Sequence, residues 1–315
     1  MNMQQQSPNH RHQNLVVTKE AEGVAGAVSY WRLSGTISLV KLAEKWTEQG
    51  LAVDQLPTPT SEIVACGRAV ADQQTHRNAQ GKRRFVTTLA RQGAWAIVEE
   101  TVIPAPRDKD GKVIGEDSPP TYRRLVQVAF RENKIPAVTA VEATDSEHGL
   151  IERTLETSVQ HHLGAIDSND ISSWLVRHAR KLGAVALRDS GGIYFVPRTN
   201  VEIWRKIATA VEAASSHLVF RIPAMRNDEA VAAILDAVIT EARDAAQGIE
   251  AELQGGNLGK RALATRTATC EAVLAKVAAY EELLGVSMDT IKTRVEVLRS
   301  DITAAALVTS DEEVQ

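Results

Sequence analysis

Cysteine is nearly missing from this chain. Cys66 and Cys270 stand far apart and form no CxxC pair. That spacing excludes a disulfide framework and a cysteine-based zinc site, and it fits a reducing, cytoplasmic setting. Aromatic residues are scarce as well, at 4%. With alanine abundant, that balance favours packed helices over an aromatic-rich sandwich. No stretch approaches the roughly 18 successive apolar residues that a membrane span needs. The opening "MNMQQQSPNHRHQNLVV" has no apolar signal-peptide core and reads as a disordered tail. No membrane partner is expected. Charge of one sign is also lacking, since 36 basic residues face 40 acidic ones for a net charge of −4. No global basic field draws nucleic acid in, so any such contact needs a local patch. HExxH and HxE…CxxC patterns are missing too, so neither a metal nor another cofactor is expected.

What remains is an ordinary globular composition, 43% apolar and 24% charged, at a length suited to two or three domains. "SYWRL" predicts a short strand over residues 29–33. A helix follows from Ser38, with Leu39, Leu42, Ala43 and Trp46 on one face and Gly50 at its end. A second helix starts at Thr60 or Ser61 as N-cap, with Glu62 in its first turn. Period-two alternation then predicts a four-stranded antiparallel meander over residues 83–143, with hairpins centred on "RQG" and "ENKIP". Its long loop, "RDKDGKVIGEDSPP", is polar and rich in turn residues. The helices before the meander are expected to cover one of its faces.

Helical patterns return after Asp145. The last third carries seam-like apolar spacing on three successive helices. Val231, Leu235, Val238, Ala242, Ala245 and Ile249 mark the first. Leu263, Thr267, Cys270, Leu274, Val277 and Leu284 mark the second, with polar Glu281 at an intervening position. Met288, Ile291, Val295, Leu298, Ile302 and Ala305 mark the third. The fold class is therefore α+β: an N-terminal antiparallel meander with helices, a central helix–hairpin unit, and a long antiparallel helical bundle or coiled coil. The boundaries read as a tail at 1–26, a meander domain at 27–144, a helix–hairpin domain at 145–226, long helices at 227–309 and a tail at 310–315.

Several motifs suggest chemistry and are better explained without it. "GGNLGKR" at 255–261 is one spacer short of a phosphate loop, has Arg261 where Ser or Thr is needed, and follows a helix. Glycines ending a helix account for it. Ser38-Leu-Val-Lys41 matches SxxK, but its companion motifs are missing and Ser38 reads as an N-cap. "DKDGKVIGED" at 108–117 has Val113 where a calcium loop needs glycine. His161 and His162 are helical neighbours about 100° apart and ill placed to share a metal. Glu99 and Glu100 alternate across a strand and face opposite sides. No catalytic residue is assigned.

The strongest candidate site is the helix at 171–182. Ile171, Trp174, Leu175, Ala179 and Leu182 make its apolar face, and Arg177, Arg180 and Lys181 lie opposite. "LRDSGGIYFVPR" follows at once. There Val185, Leu187, Ile193 and Phe195 take alternate positions around a turn of Asp189, Ser190, Gly191 and Gly192, with Arg188 beside it. A basic helix followed by a glycine-tipped hairpin is the order of a winged-helix module, which sets the helix in the major groove and the hairpin on the backbone. A solvated helix face explains the same three cations. "GKRR" at 81–84, with His76 and Arg77, is a second basic patch without interleaved aromatics, and a loop before a strand explains it as well.

"LRDSGGIYFVP", together with the later "AYEELLG" and the long helical tail, resembles a family of phage, plasmid and archaeal-virus proteins of unknown function. The resemblance covers the C-terminal half. It implies a mobile-element setting and no established enzyme activity, and it carries over no catalytic residue.

The first expectation is a non-enzymatic assembly or interaction protein. It would oligomerise, or hold a protein partner, through Val231, Leu235, Val238, Ile249, Leu274, Val277, Ile291, Val295, Leu298 and Ile302. The second is a DNA-binding protein that uses Arg177, Arg180, Lys181 and Arg188 and dimerises through those helices. The third is an enzyme whose site is assembled from distant residues and is not visible in sequence.

Overall fold

The computed structural model describes residues 23–89, 93–131, 134–189, 192–256 and 258–312. Residues 1–22 and 313–315, read above as parts of tails, lie outside the described residues, as do Arg91, Gln92, Glu132 and Asn133. Contacts group the chain into two compact units. One holds the described residues of 1–32, 175–209 and 217–315, and the other holds those of 33–174 and 210–216. This differs from a division into three successive stretches. The reason is strand β1 (Val24–Arg32), which pairs with β9 (Tyr194–Pro197) and β10 (Leu218–Met225) instead of with its sequence neighbours.

The unit around residues 33–174 is built on a meander. Strands β3 (Lys82–Thr88), β4 (Ala94–Thr101), β5 (Thr121–Arg131) and β6 (Lys134–Ala140) pair antiparallel in chain order. Ile97, Leu125, Val126 and Val128 bury one face of this sheet. Against them lie Cys66, Ala69 and Val70 of α2 (Glu62–Ala71) and Ile151, Leu155 and Val159 of α3 (Asp145–Gly164). The covering layer thus comes from one helix before the meander and one after it. The three apolar residues of α3 recur every four positions and form one stripe, as an amphipathic helix on a sheet requires.

Helix α3 starts with a capping box. The Glu147 N–H donates to Thr144 Oγ1 (3.3 Å) and the Thr144 N–H donates back to Glu147 Oε2 (2.8 Å). Arg123 of β5 forks onto the same carboxylate at 2.6 and 3.3 Å and so ties the helix start to the sheet. The Arg123 guanidinium, and after it the Thr144 N–H, hold the Glu147 carboxyl down at about 2, against an ordinary value of 4.5. A folded value below the unfolded one gives stabilisation that is complete above about 4.5 and is lost as pH falls toward 2. Arg123→Gln is therefore expected to move the acid-unfolding midpoint to higher pH in a far-UV circular dichroism titration. An unmoved midpoint would show that the fork adds nothing beyond what water supplies.

In the same unit β2 (Thr36–Ser38) pairs with β7 (Ala165–Asp167), and each strand runs straight into a helix. Ser38 caps α1 (Leu39–Glu48) by accepting the Lys41 N–H, so the SxxK serine has a structural task. Asp167 accepts the Asp170 N–H at the start of α4 (Ser168–Lys181). Ser61 is the N-cap of α2 but its side chain makes no capping bond, and Thr60 instead donates to the Ala165 carbonyl. The indole rings of Trp46 and Trp174 meet at 5.2 Å, and their N–H groups donate to the carbonyls of Ala52 and Gln55. Asp108 accepts the N–H groups of Asp110 and Lys112, which makes its loop a turn closed on itself.

The other unit contains the sheet β10-β1-β9-β8, where β8 is Val185–Ala186. Pro223 lies on edge strand β10, where a missing N–H is tolerated. The expected strand at 29–33 is thus longer and begins at Val24. Helix α5 (Val201–Ala214) sends Trp204 onto this sheet. Its indole N–H donates to Ser29 Oγ, which donates on to the Phe220 carbonyl, both at 2.9 Å. Val185, Phe195 and Ala224 join the core of three long helices, α6 (Asp228–Gln254), α7 (Lys260–Leu284) and α8 (Asp289–Glu312). The ion pairs Glu252–Arg266 and Glu241–Lys276 advance in opposite senses along α6 and α7, so these two helices run antiparallel. The glycines of "GGNLG" end α6 and begin α7, a helix–loop–helix arrangement unlike a phosphate loop; Asn257 lies outside the described residues.

The seam positions are covered within the single chain. Val238, Ile249, Val277, Ile291, Val295, Leu298 and Ile302 are buried, and Val231, Leu235 and Leu274 pack half-buried against them. In α6 the deepest stripe is Ile234, Val238, Ala242, Ala246 and Ile249, one position off the expected set at Leu235 and Ala245. The seam residues therefore hold α6, α7 and α8 together.

Candidate nucleic-acid interface

Helix α4 is amphipathic as its spacing predicts. Ile171, Trp174, Leu175 and Ala179 are buried, Leu182 just past its end is half-buried, and Arg177, Arg180 and Lys181 are exposed. The helix stops at Gly183, whose φ of +73° is the left-handed conformation that glycine adopts without Cβ strain. The Leu182 N–H donates to the His178 carbonyl and the Ala184 N–H to the Ala179 carbonyl. Asn200 Nδ2 donates to the Leu182 carbonyl at 2.9 Å. The end of the helix is therefore closed by several hydrogen bonds instead of being left to fray.

Two side chains of α7 fix the next step of the chain. Tyr280 donates its hydroxyl to the Gly183 carbonyl at 2.8 Å, and Lys276 Nζ donates to the Ala184 carbonyl at 2.9 Å. Burial pushes the Tyr280 phenol up, so it stays protonated and keeps donating. Lys276 is also paired with Glu241 at 2.7 Å. The backbone between the basic helix and the hairpin is thus clamped from outside both.

The hairpin follows immediately. Val185 pairs with Phe195 and Ala186 with Tyr194, and the Leu187 N–H donates to the Ile193 carbonyl at 2.9 Å. Arg188 and Asp189 are exposed beside the turn, and Gly192 has φ +68°. Ser190 and Gly191 lie outside the described residues. Strand β9 is buried along its length and is shared with β1. The Phe195 ring lies 6.1 Å from that of Tyr280. The two separated segments of the family resemblance, "LRDSGGIYFVP" and "AYEELLG", therefore meet through these residues.

Among the described residues, Arg177, Arg180, Lys181 and Arg188 form no ion pair, whereas Arg68, Arg123, Arg205, Arg266 and Arg294 all do. The helix dipole favours cations at Arg180 and Lys181 in the last turn. Arg177 lies a turn earlier and Arg188 lies beyond the helix, so the dipole does not account for them.

Elsewhere several reactive side chains are engaged in local bonds or buried. Ser158 and His162 both bond the same Asp72 oxygen, at 2.5 and 2.7 Å, so the serine is not on the imidazole and no nucleophile relay forms. Burial pushes the Cys66 thiol up to about 11 and raises Cys270 as well, which disfavours a thiolate at either. Among the described residues no group of three or more His, Cys, Asp or Glu side chains is placed to hold a metal ion, and no helix is long and apolar enough to cross a membrane. Glu99 and Glu100 do face opposite sides of β4, Glu99 meeting Lys82 and Arg123 and Glu100 meeting Arg77 and Arg83.

Sequence reasoning predicted the amphipathic helix and the strands that flank the turn but missed Lys276 and Tyr280. Nothing in the local pattern around either residue marks it as a clamp, since the groups they hold are more than 90 positions away. A family model described as a family of unknown function (DUF6744) matches residues 24–311. No curated protein and no solved structure matches the chain.

Proposed function

We propose, for a chain that belongs to the DUF6744 family, that it binds duplex DNA through the C-terminal half of α4 and the hairpin turn beside it. One observation carries this reading: four exposed cations without acidic partners sit on backbone that is clamped in place by α7. A rigid basic helix end suits the phosphate-lined groove, and Arg188 lies where a backbone contact would form. The net charge of −4 is no obstacle, because phosphate contacts are local. In this reading the three long helices form a bundle within one chain and serve as scaffold for the reader. The resemblance to phage, plasmid and archaeal-virus proteins supports a mobile-element setting.

The test is fluorescence anisotropy with a labelled duplex of about two helical turns, titrated across a salt series. Replacing Arg177, Arg180 and Lys181 together by glutamine is expected to weaken binding by roughly one to two orders of magnitude at low salt. The log–log salt slope should become shallower by about 2 to 3, since each lost phosphate contact removes about 0.9. A triple variant that binds with wild-type affinity and slope would remove this helix from consideration.

A further inference from the structure

The meander has one face under α2 and α3 and a second face on which no helix packs among the described residues. The second face carries a row across three strands, Arg83 on β3, Glu100 on β4 and Tyr122 on β5, which the strand register sets side by side. The next row holds Phe85, Val98 and Arg124. Tyr122 is 61% exposed, so its ring is accessible for a base to stack on. Its ring meets Phe85 edge-on at 6.1 Å, and the Arg83 guanidinium lies 5.9 Å from the Phe85 centroid.

Charge on this face favours an anion. Glu100 is buried beneath the row and accepts from Arg77, Arg83 and the Tyr122 hydroxyl. Arg124 is exposed and forms no ion pair among the described residues; Glu142 bonds its backbone N–H. Solvent therefore meets three guanidinium groups, the Tyr122 ring and part of the Phe85 ring, with the central carboxylate covered and the exposed Glu142 carboxylate beside the Arg124 backbone. In the linear sequence the basic group at 81–84 has no interleaved aromatics. The sheet supplies one from β5, about 40 residues on, and that juxtaposition changes what the patch can bind.

We infer that this face of the meander is a second binding site, one for a single-stranded polynucleotide, with Tyr122 stacking a base and Arg77, Arg83 and Arg124 holding phosphates. Stacking on an aromatic side chain beside arginines suits unpaired bases of any sequence. A duplex hides its base faces and has nothing to offer Tyr122. The site lies in the unit that does not contain Arg177, Arg180, Lys181 and Arg188, so it does not depend on the duplex-binding reading.

The experiment uses the full chain and labelled oligothymidylate or oligouridylate of about 12 nucleotides. Anisotropy is read for wild type, Tyr122→Leu, Tyr122→Phe, Arg124→Gln, and the α4 triple-glutamine variant with and without Tyr122→Leu. Tyr122→Leu should weaken binding by about tenfold, the lower part of the range for one base stack, while Tyr122→Phe stays near wild type. Arg124→Gln should make the salt slope shallower by about 0.7. Tyr122→Leu should weaken oligonucleotide binding by the same factor in the α4 variant background as in wild type. The two oligonucleotides separate DNA from RNA as the natural source. Three outcomes overturn the inference: no binding by wild type, unchanged binding by Tyr122→Leu, or loss confined to the α4 variant. Because Tyr122 is exposed its variants should fold, and matched unfolding midpoints check this. Arg124→Gln supplies an independent reading if Tyr122→Leu unfolds.

Discussion

A chain ended at Met225 is expected to lose the β10-β1-β9-β8 sheet and to aggregate, not to run as a folded monomer. The core beneath that sheet is held in common with α6, α7 and α8. The sheet contributes Ala25, Val185, Phe195 and Ala224, and the other buried members come from the three helices and from Met288 just before α8. Removing the helices uncovers Phe195, takes away the Tyr280 and Lys276 clamp, and leaves a four-stranded sheet with one bare apolar face. Such a face on short strands is an aggregation site. The meander unit keeps its own core of Cys66, Ile97, Leu125, Ile151 and Leu155, so part of the far-UV signal should survive. Near-UV circular dichroism, dye binding and light scattering measure the three effects. A truncated chain that stays monomeric and unfolds cooperatively at the full-length midpoint would show that the helices are an appendage.

Within the unit that contains β1, a large effect of a single substitution is expected at Gly26. A Cβ there would lie 2.2 Å from the Val196 carbonyl oxygen and 2.6 and 2.8 Å from the Phe195 ring. Contacts that short force something to move. The carbonyl belongs to backbone paired across β1 and β9, and Phe195 is fully buried, so neither can retreat cheaply. Overpacking of a tight core commonly costs 1–3 kcal/mol, and a clash with paired backbone belongs at or above the top of that range, about 3 kcal/mol or more. Gly26→Ala should lower the urea midpoint of the unit containing β1 and leave the transition of the meander unit nearly unmoved. An unchanged midpoint would mean that β1 and β9 are not packed as described. The pairing that makes Gly26 necessary also carries the hairpin, so the same variant should weaken duplex binding by disordering the turn beside Arg188.

Local chemistry predicted much of the outline. The four strands of the meander, the Ser38 cap, the polar 107–120 loop and the amphipathic α4 follow from periodicity and turn residues within a dozen positions. The spacing of α8 was legible for the same reason, since Met288, Ile291, Val295, Leu298 and Ile302 are the residues that its packing buries. In α6 the near-uniform supply of alanine blurred the stripe, and Ile234 and Ala246 were hidden among equivalents. Burial itself is a property of the whole chain. The same spacing serves a helix packed on its own chain and one packed on a partner, so only the folded arrangement shows that the seam residues are covered internally.

By itself, then, the sequence determined most of the elements and the basic side of one helix. Tertiary structure decided which elements meet. It drew β1 across nearly 200 positions to β10, set Tyr280 on the turn after α4, and placed Tyr122 beside Arg83. The physical reason is one of range. Hydrogen bonding and side-chain periodicity act along the chain within a few residues, whereas strand pairing and core burial join residues by shape and surface, whatever their separation in sequence. Both candidate nucleic-acid surfaces of this protein depend on contacts of the second kind.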